Sequence, residues 1–217
     1  MATPRRVWTL LALLYLAFFA WYTSFGGPLT PSEIDRYLGV LAERGADPER
    51  MAIWKQFMQS DSGDDFVMLN AIEMREAPLA VAGAPPDASS AEVLRLYTDP
   101  FLGKAFRSAA HPVFLGWAAA GAMDLWGIEG AEQWSTGGLV RYRSRRDLME
   151  QAVYASGLDI HDFKTAAMEK TIAFPLDPFF QLGDPRFVLA LLLLVLGLSA
   201  HLRVALKRAS ALELARG

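Results

Sequence analysis

Four arginines stand within six positions of the segment GGLVRYRSRRDLMEQA (137–152): Arg141, Arg143, Arg145 and Arg146. Guanidinium groups hold carboxylates and phosphates through paired hydrogen bonds, so the cluster admits an anion site, an internal ion-pair network or a solvated face. Side chains alternate along a strand, which puts Arg141 and Arg143 with Leu139 on one face and Val140 with Tyr142 on the other. Arg141 lies inside that strand and must meet a carboxylate, a ligand anion or water at an edge. Arg145 and Arg146 fall in the first turn of the helix that follows, where positive charge opposes the dipole. They are expected to be surface residues, offset by Asp147 and Glu150.

Other residues with chemical potential are sparse. Asn70 is an amide inside the apolar run FVMLNAIEMR (66–75); if buried it must be hydrogen-bonded, either tying down a loop or facing a ligand cleft. His111, before Pro112, is a turn residue, a general base or a metal ligand. Trp117 and Trp126 serve as core or as the wall of an apolar cleft. Asn70, His111, Trp117, Arg141 and Tyr142 therefore form the candidate ligand cleft. His161 has no second histidine at ligand spacing, the chain has no cysteine, and no metal or cofactor is expected. The acidic loop SDSGDD (60–65) lacks the ligand order of an EF-hand and reads as a solvated turn. Sequence patterns for nucleotide binding or for a serine hydrolase are absent.

The elements that must position these residues divide by composition. Val7–Phe25 carries no charge over nineteen residues, a length of roughly 28 Å as a helix and close to one hydrocarbon core. Phe187–Leu206 is a second apolar run, uncharged until Arg203, which can snorkel to the interface. Two membrane spans are expected. Arg5 and Arg6 precede the first; Arg203, Lys207, Arg208 and Arg216 lie at or beyond the end of the second. Both termini are then cytoplasmic, and the middle region is periplasmic in a bacterial inner membrane. Residues 26–186 hold 15 basic and 23 acidic side chains, a net charge of −8. That balance excludes a nucleic-acid surface, which needs a broad basic face.

Within the middle region, Thr30-Pro31-Ser32-Glu33 is a capping box leading to Ile34, Tyr37, Leu38 and Leu41 on one helix face. A second helix starts at Asp47-Pro48. Phe66–Arg75 reads as a strand, and Ser89–Glu92 is another capping box whose helix is expected to bend near Pro100. His111-Pro112 opens a strand VFLGWAAAG, Leu139–Arg143 is a third, Ser144 starts a helix, His161–Lys170 is a short helix, and Thr171–Phe174 is the last strand. This βαββαβ order predicts an α+β fold of ferredoxin-like type. The implied organisation is an anchor (1–25), a helical linker (26–59), the ferredoxin-like domain (60–176), and a second membrane helix with a basic tail (177–217).

The middle region resembles the dimeric α/β-barrel superfamily, and within it a largely uncharacterised family of small ferredoxin-like domains. The resemblance rests on VMLNAIEMRE (67–76), HPVFLGW (111–117), VRYRSRRDLMEQA (140–152) and KTAAMEKTIAFPL (164–176), and covers residues 60–176. It implies that two sheets pair around small clefts, in a family whose members include monooxygenase-like, lyase-like and ligand-binding domains. The expected function is a membrane-anchored extracytoplasmic module for small-ligand binding or protein interaction. It would act as a homodimer, with a membrane protein partner, or as an accessory subunit of a membrane complex. The alternative is an enzyme acting on a small lipophilic carbonyl or acid compound that Asn70, His111 and Arg141 orient.

Overall fold

The computed structural model describes residues 4–215, so Arg216 of the basic tail lies outside them. The chain divides into two compact units, one made of the two terminal segments and the other of Ser24–Pro178. Each is described separately.

The terminal unit is an antiparallel pair of helices, α1 (Pro4–Tyr22) and α7 (Pro185–Leu214). Asp184 caps α7 by accepting a hydrogen bond from the Arg186 amide. The Arg186 guanidinium lies 5.6 Å over the Tyr22 ring, and at the other end Gly197 sits beneath the Trp8 indole with no room for a side chain. At 30 residues α7 is about 45 Å long, and it is the one helix among the described residues long and apolar enough to cross a membrane. The two spans expected from sequence are not both met on that measure. Helix α1 begins at Pro4 rather than Val7, so Arg5 and Arg6 lie inside it, and it ends at Tyr22 instead of Phe25.

The second unit runs α2 (Pro31–Glu43), α3 (Pro48–Gln59), β1 (Phe66–Met74), α4 (Ser90–Arg107), β2 (His111–Trp117), β3 (Thr136–Tyr142), α5 (Arg145–Gly157), α6 (His161–Ala167) and β4 (Met168–Leu176). Both capping boxes form, at Thr30 with Glu33 and at Ser89 with Glu92. Ser144 caps α5 by accepting from the Asp147 amide at 3.1 Å. The four strands lie in the order β2-β3-β1-β4 with every neighbouring pair antiparallel. This mixed α+β arrangement fits a ferredoxin-like fold loosely, with α6 added before β4.

Several boundaries differ from expectation for physical reasons. Strand β2 takes in His111 and Pro112 and stops at Trp117. Strand β4 starts at Met168 and includes Pro175. Both are edge strands, where a proline's missing N–H need not cost a ladder bond. Helix α4 continues through Pro100 as one element. Residues 26–59, read as a linker, belong to the same compact unit as the sheet. Ile34 and Tyr37 of α2 and Phe57 and Met58 of α3 are core residues, clustered with Phe66, Tyr142, Leu148 and Met149.

Packing assigns the two sheet faces. Phe66 stacks on Tyr142 with centroids 5.4 Å apart, and Met68 and Val140 join the same core, so this face carries the helices. Alternation turns Val67, Leu69 and Ala71 to the opposite face.

Candidate functional site

The face away from the helices is the leading candidate surface. Register places Phe114, Leu139, Leu69 and Phe174 in one row across all four strands. Phe114 keeps 59% and Phe174 43% of its surface exposed. Leu176 on one side and Ala71 with Ile172 on the other flank the row, while Val67, opposite Leu176, is itself buried. A contiguous apolar patch of this kind is uncommon on a monomer and marks an interaction surface or a groove.

Arg141 belongs to this face by alternation, opposite Val67 and His111 in register, yet it is 1% exposed. Its Nε donates to Asp65 Oδ2 at 2.8 Å, and its Nη1 donates to the Ala109 carbonyl at 3.1 Å. Ala109 adopts φ 55 just past the end of α4, the left-handed geometry that closes a helix.

The remaining arginines are also consumed inside the unit. Arg143 forms a two-bond fork with Asp147, 2.8 Å on each arm. Arg145 and Arg146, expected on the surface, are corrected: both make long-range pairs. Arg145 is buried. It donates to the Phe57 carbonyl and to Ser60 Oγ at 2.7 Å, lies over the Phe57 ring, and approaches Asp61 at 3.7 Å and Asp177 at 3.2 Å. Arg146 pairs with Glu33 at 2.7 Å and donates to the carbonyls of Gly27 and Pro28. Its guanidinium lowers the Glu33 carboxyl to about 2, helped by the Thr30 amide and hydroxyl. The acidic loop is therefore no solvated turn. Asp61 accepts the Leu29 amide at 2.8 Å while facing Arg145, and Asp65 neutralises Arg141. Sequence reasoning passed over these aspartates because their arginine partners are 76 or more residues away; the concentration of acidic groups in one short segment and of basic groups in another was the available signal.

The five residues expected to line one cleft are divided between two layers. His111 and Arg141 are neighbours on the open face, and the His111 ring bonds the Pro112 carbonyl at 2.9 Å. Asn70, Trp117 and Tyr142 lie on the helix-bearing face. Asn70 is half-buried and donates to the Met68 carbonyl of its own strand at 3.1 Å. Tyr142 is buried in the core, where burial raises its hydroxyl above the ordinary tyrosine range. Trp117 is exposed at the far end of β2, next to the loop that carries the exposed Trp126. Asn70 and Arg141 therefore share no cavity.

A second group of titratable side chains lies among the helices. The Lys164 ammonium is 5.7 Å from the Tyr97 ring centroid, and the His161 ring meets Tyr97 edge-on at 6.3 Å. Burial lowers both Lys164 and His161, with Arg50 adding repulsion, and pushes Tyr97 up to about 12. Among the described residues no group of three or more His, Cys, Asp or Glu side chains is placed to hold a metal ion.

Fold and surface together define an α+β unit with a four-stranded antiparallel sheet, accompanied by one helix able to cross a membrane. The chain matches no protein-family profile and no curated protein. Among solved structures it is similar to RPA0582, a protein of unknown function from Rhodopseudomonas palustris. That match has 23% identity, a TM-score of 0.48, and covers 62% of this chain and 97% of the other. The methylated form of RPA0582 matches at 22% identity and a TM-score of 0.49, covering 64% and 96%.

Proposed function

We propose that this protein is a two-span, membrane-anchored interaction module whose α+β unit pairs with a second copy through the open sheet face. In this reading α1 and α7 both cross a bacterial inner membrane, both termini are cytoplasmic, and Ser24–Pro178 is periplasmic. Pairing of two sheets would give the arrangement of the dimeric α/β-barrel superfamily, with small-ligand clefts at the seam.

The observation that carries the reading is the apolar row Phe114–Leu139–Leu69–Phe174, which the unit's own helices leave uncovered. Arg141, the one strand arginine on that face inside the register, brings no free charge to it because Asp65 holds it. A two-fold contact needs a self-complementary patch, and a flat apolar row meets that need. Copies anchored in one bilayer also share an orientation, which raises their effective concentration.

The test is cross-linking of the full chain in native membranes. The wild type should give a dimer, and Phe114→Asp with Phe174→Asp should abolish it while leaving the fold intact, since both rings are exposed. A chain that remains monomeric, or a dimer indifferent to these substitutions, would sink the proposal. Cross-linking to a different membrane protein would instead favour an accessory-subunit role.

A further inference from the structure

Helices α1 and α7 leave between them an open groove of about 220 Å³, lined by Trp8, Leu11, Ala12 and Tyr15 of α1 and by Ala190, Leu193 and Leu194 of α7. No charged group lines it. Its lining is mostly apolar, the Tyr15 hydroxyl and Trp8 indole N–H being the polar side-chain groups its residues carry, and its volume equals roughly seven water-sized groups, enough for a stretch of hydrocarbon chain.

The antiparallel pairing sets what lies above the groove. Trp8 covers Gly197, so Arg5 and Arg6 stand about one turn beyond that contact along α1, and Arg203 less than two turns beyond it along α7. Arg5, Arg6 and Arg203 therefore fall within about one helical turn of the same height. Lys207 and Arg208 follow one turn further out. Lys207 also continues the seven-residue stripe through Leu193 and Ala200, so it stands over the groove's own side of α7. All five cations are exposed and none forms an ion pair among the described residues. Helix α1 has no acidic residue, and α7 has Glu213 alone.

We infer that this end of the helix pair is a binding site for one anionic phospholipid, with an acyl chain in the α1–α7 groove and the headgroup phosphate among Arg5, Arg6, Arg203 and Lys207. Two features at matching depth carry the assignment: a mostly apolar slot lined by no charged group, and above it a basic collar whose cations form no ion pair among the described residues. Either alone would be ordinary for a membrane helix; their alignment is what a chain-plus-phosphate ligand requires. The inference rests on the reading of α1 and α7 as a membrane-spanning pair and adds the lipid that this pair selects.

Native mass spectrometry of the full chain in mild detergent, with dioleoyl phosphatidylglycerol or dioleoyl phosphatidylcholine added, tests the site. Phosphatidylglycerol should be retained in preference to phosphatidylcholine by roughly tenfold or more. Arg5→Gln, Arg6→Gln and Arg203→Gln together should erase that preference. Ala12→Leu with Ala190→Leu, which fills the groove and keeps every cation, should lower retention of phosphatidylglycerol, with circular dichroism confirming the helices. Excess inorganic phosphate should leave the lipid bound. No headgroup preference, a preference that survives the glutamine substitutions, retention unchanged by groove filling, or displacement of the lipid by free phosphate would each overturn the site. Alkaline carbonate extraction separates the two readings. A chain that stays in the membrane without selecting lipid loses only the lipid site, whereas a chain that is extracted loses the spanning pair as well.

Discussion

Arg141 and Asp65 form a 2.8 Å ion pair across 76 residues of sequence, with the arginine 1% exposed beside the apolar row of the open sheet face. The pair explains how a strand arginine can sit beside an open hydrophobic surface without disrupting it. Its charge is neutralised within the unit by the loop entering β1, and the Ala109 carbonyl takes a further donor.

Breaking this pair from one side strands a buried guanidinium. Asp65→Ala should destabilise the protein by about 3–5 kcal/mol, the usual cost of an uncompensated buried charge. Arg141→Met combined with Asp65→Ala should recover much of that loss, because a matched apolar replacement removes the desolvation penalty too. Thermal unfolding of the full chain in detergent, followed by circular dichroism, reads both outcomes. Equal destabilisation by the single and double variants would show that Asp65 acts through some contact other than Arg141.

Gly63 is the most constrained backbone position in the same loop. It adopts φ +86, and a Cβ there would stand 2.6 Å from the Gly27 carbonyl carbon and 2.8 Å from its Cα. Backbone cannot rotate away as a side chain can. Gly63→Ala should cost about 2–4 kcal/mol, combining the left-handed penalty with a steric one. Gly45→Ala, also at positive φ (+75) but with nothing within 4 Å, should lose only the first part, about 1–2 kcal/mol. Comparing the two melting temperatures isolates the contact.

Two of the groups through which acid acts separate by pH range. Burial, reinforced by the Lys164 charge, lowers His161 below its ordinary 6.5. As pH falls through 6.5 the unfolded chain takes up this proton before the folded one, so stability declines. His161→Gln should flatten that part of the stability profile. Glu33 behaves separately: Arg146 and the Thr30 cap hold its carboxyl at about 2 against 4.5. Its contribution is fully present above 4.5 and is lost as pH falls toward 2, and Glu33→Gln should remove its share of this lower component, to which Glu92 and Glu150, also held below the ordinary carboxylate value by Ser89 and by Tyr37 with Arg36, contribute separately. Melting temperatures measured across the acid range on the two variants separate them.

The local elements were legible in the sequence because their signals are local. Capping boxes at Thr30 and Ser89, the cap at Ser144 and the apolar run at Phe66 each specify an element from residues a few positions apart, and each forms. Helix α7 follows equally from its uncharged length. The fates of the arginines were not legible. Arg145 and Arg146 open a helix in a segment that reads as surface, and only tertiary packing brings Asp61, Asp177 and Glu33 to them.

The same division governs the candidate site. Alternation alone separates Leu139 and Arg141 from Val140 and Tyr142, since strand periodicity is a property of the backbone. Which face meets the helices depends on partners elsewhere in the chain, because a strand apolar on both sides satisfies either choice. The structure decides it through Phe66 and Tyr142, which enter the core with α3 and α5, and so leaves Leu69, Leu139, Phe114 and Phe174 as the open row. Asn70 and Arg141 are thereby placed on opposite sides of one sheet. Sequence determined that the chain carries a long membrane-compatible helix, an α+β unit and a dense arginine cluster. Tertiary structure decided that those arginines are structural, since an ion pair is chosen by distance in space, which composition and spacing do not record.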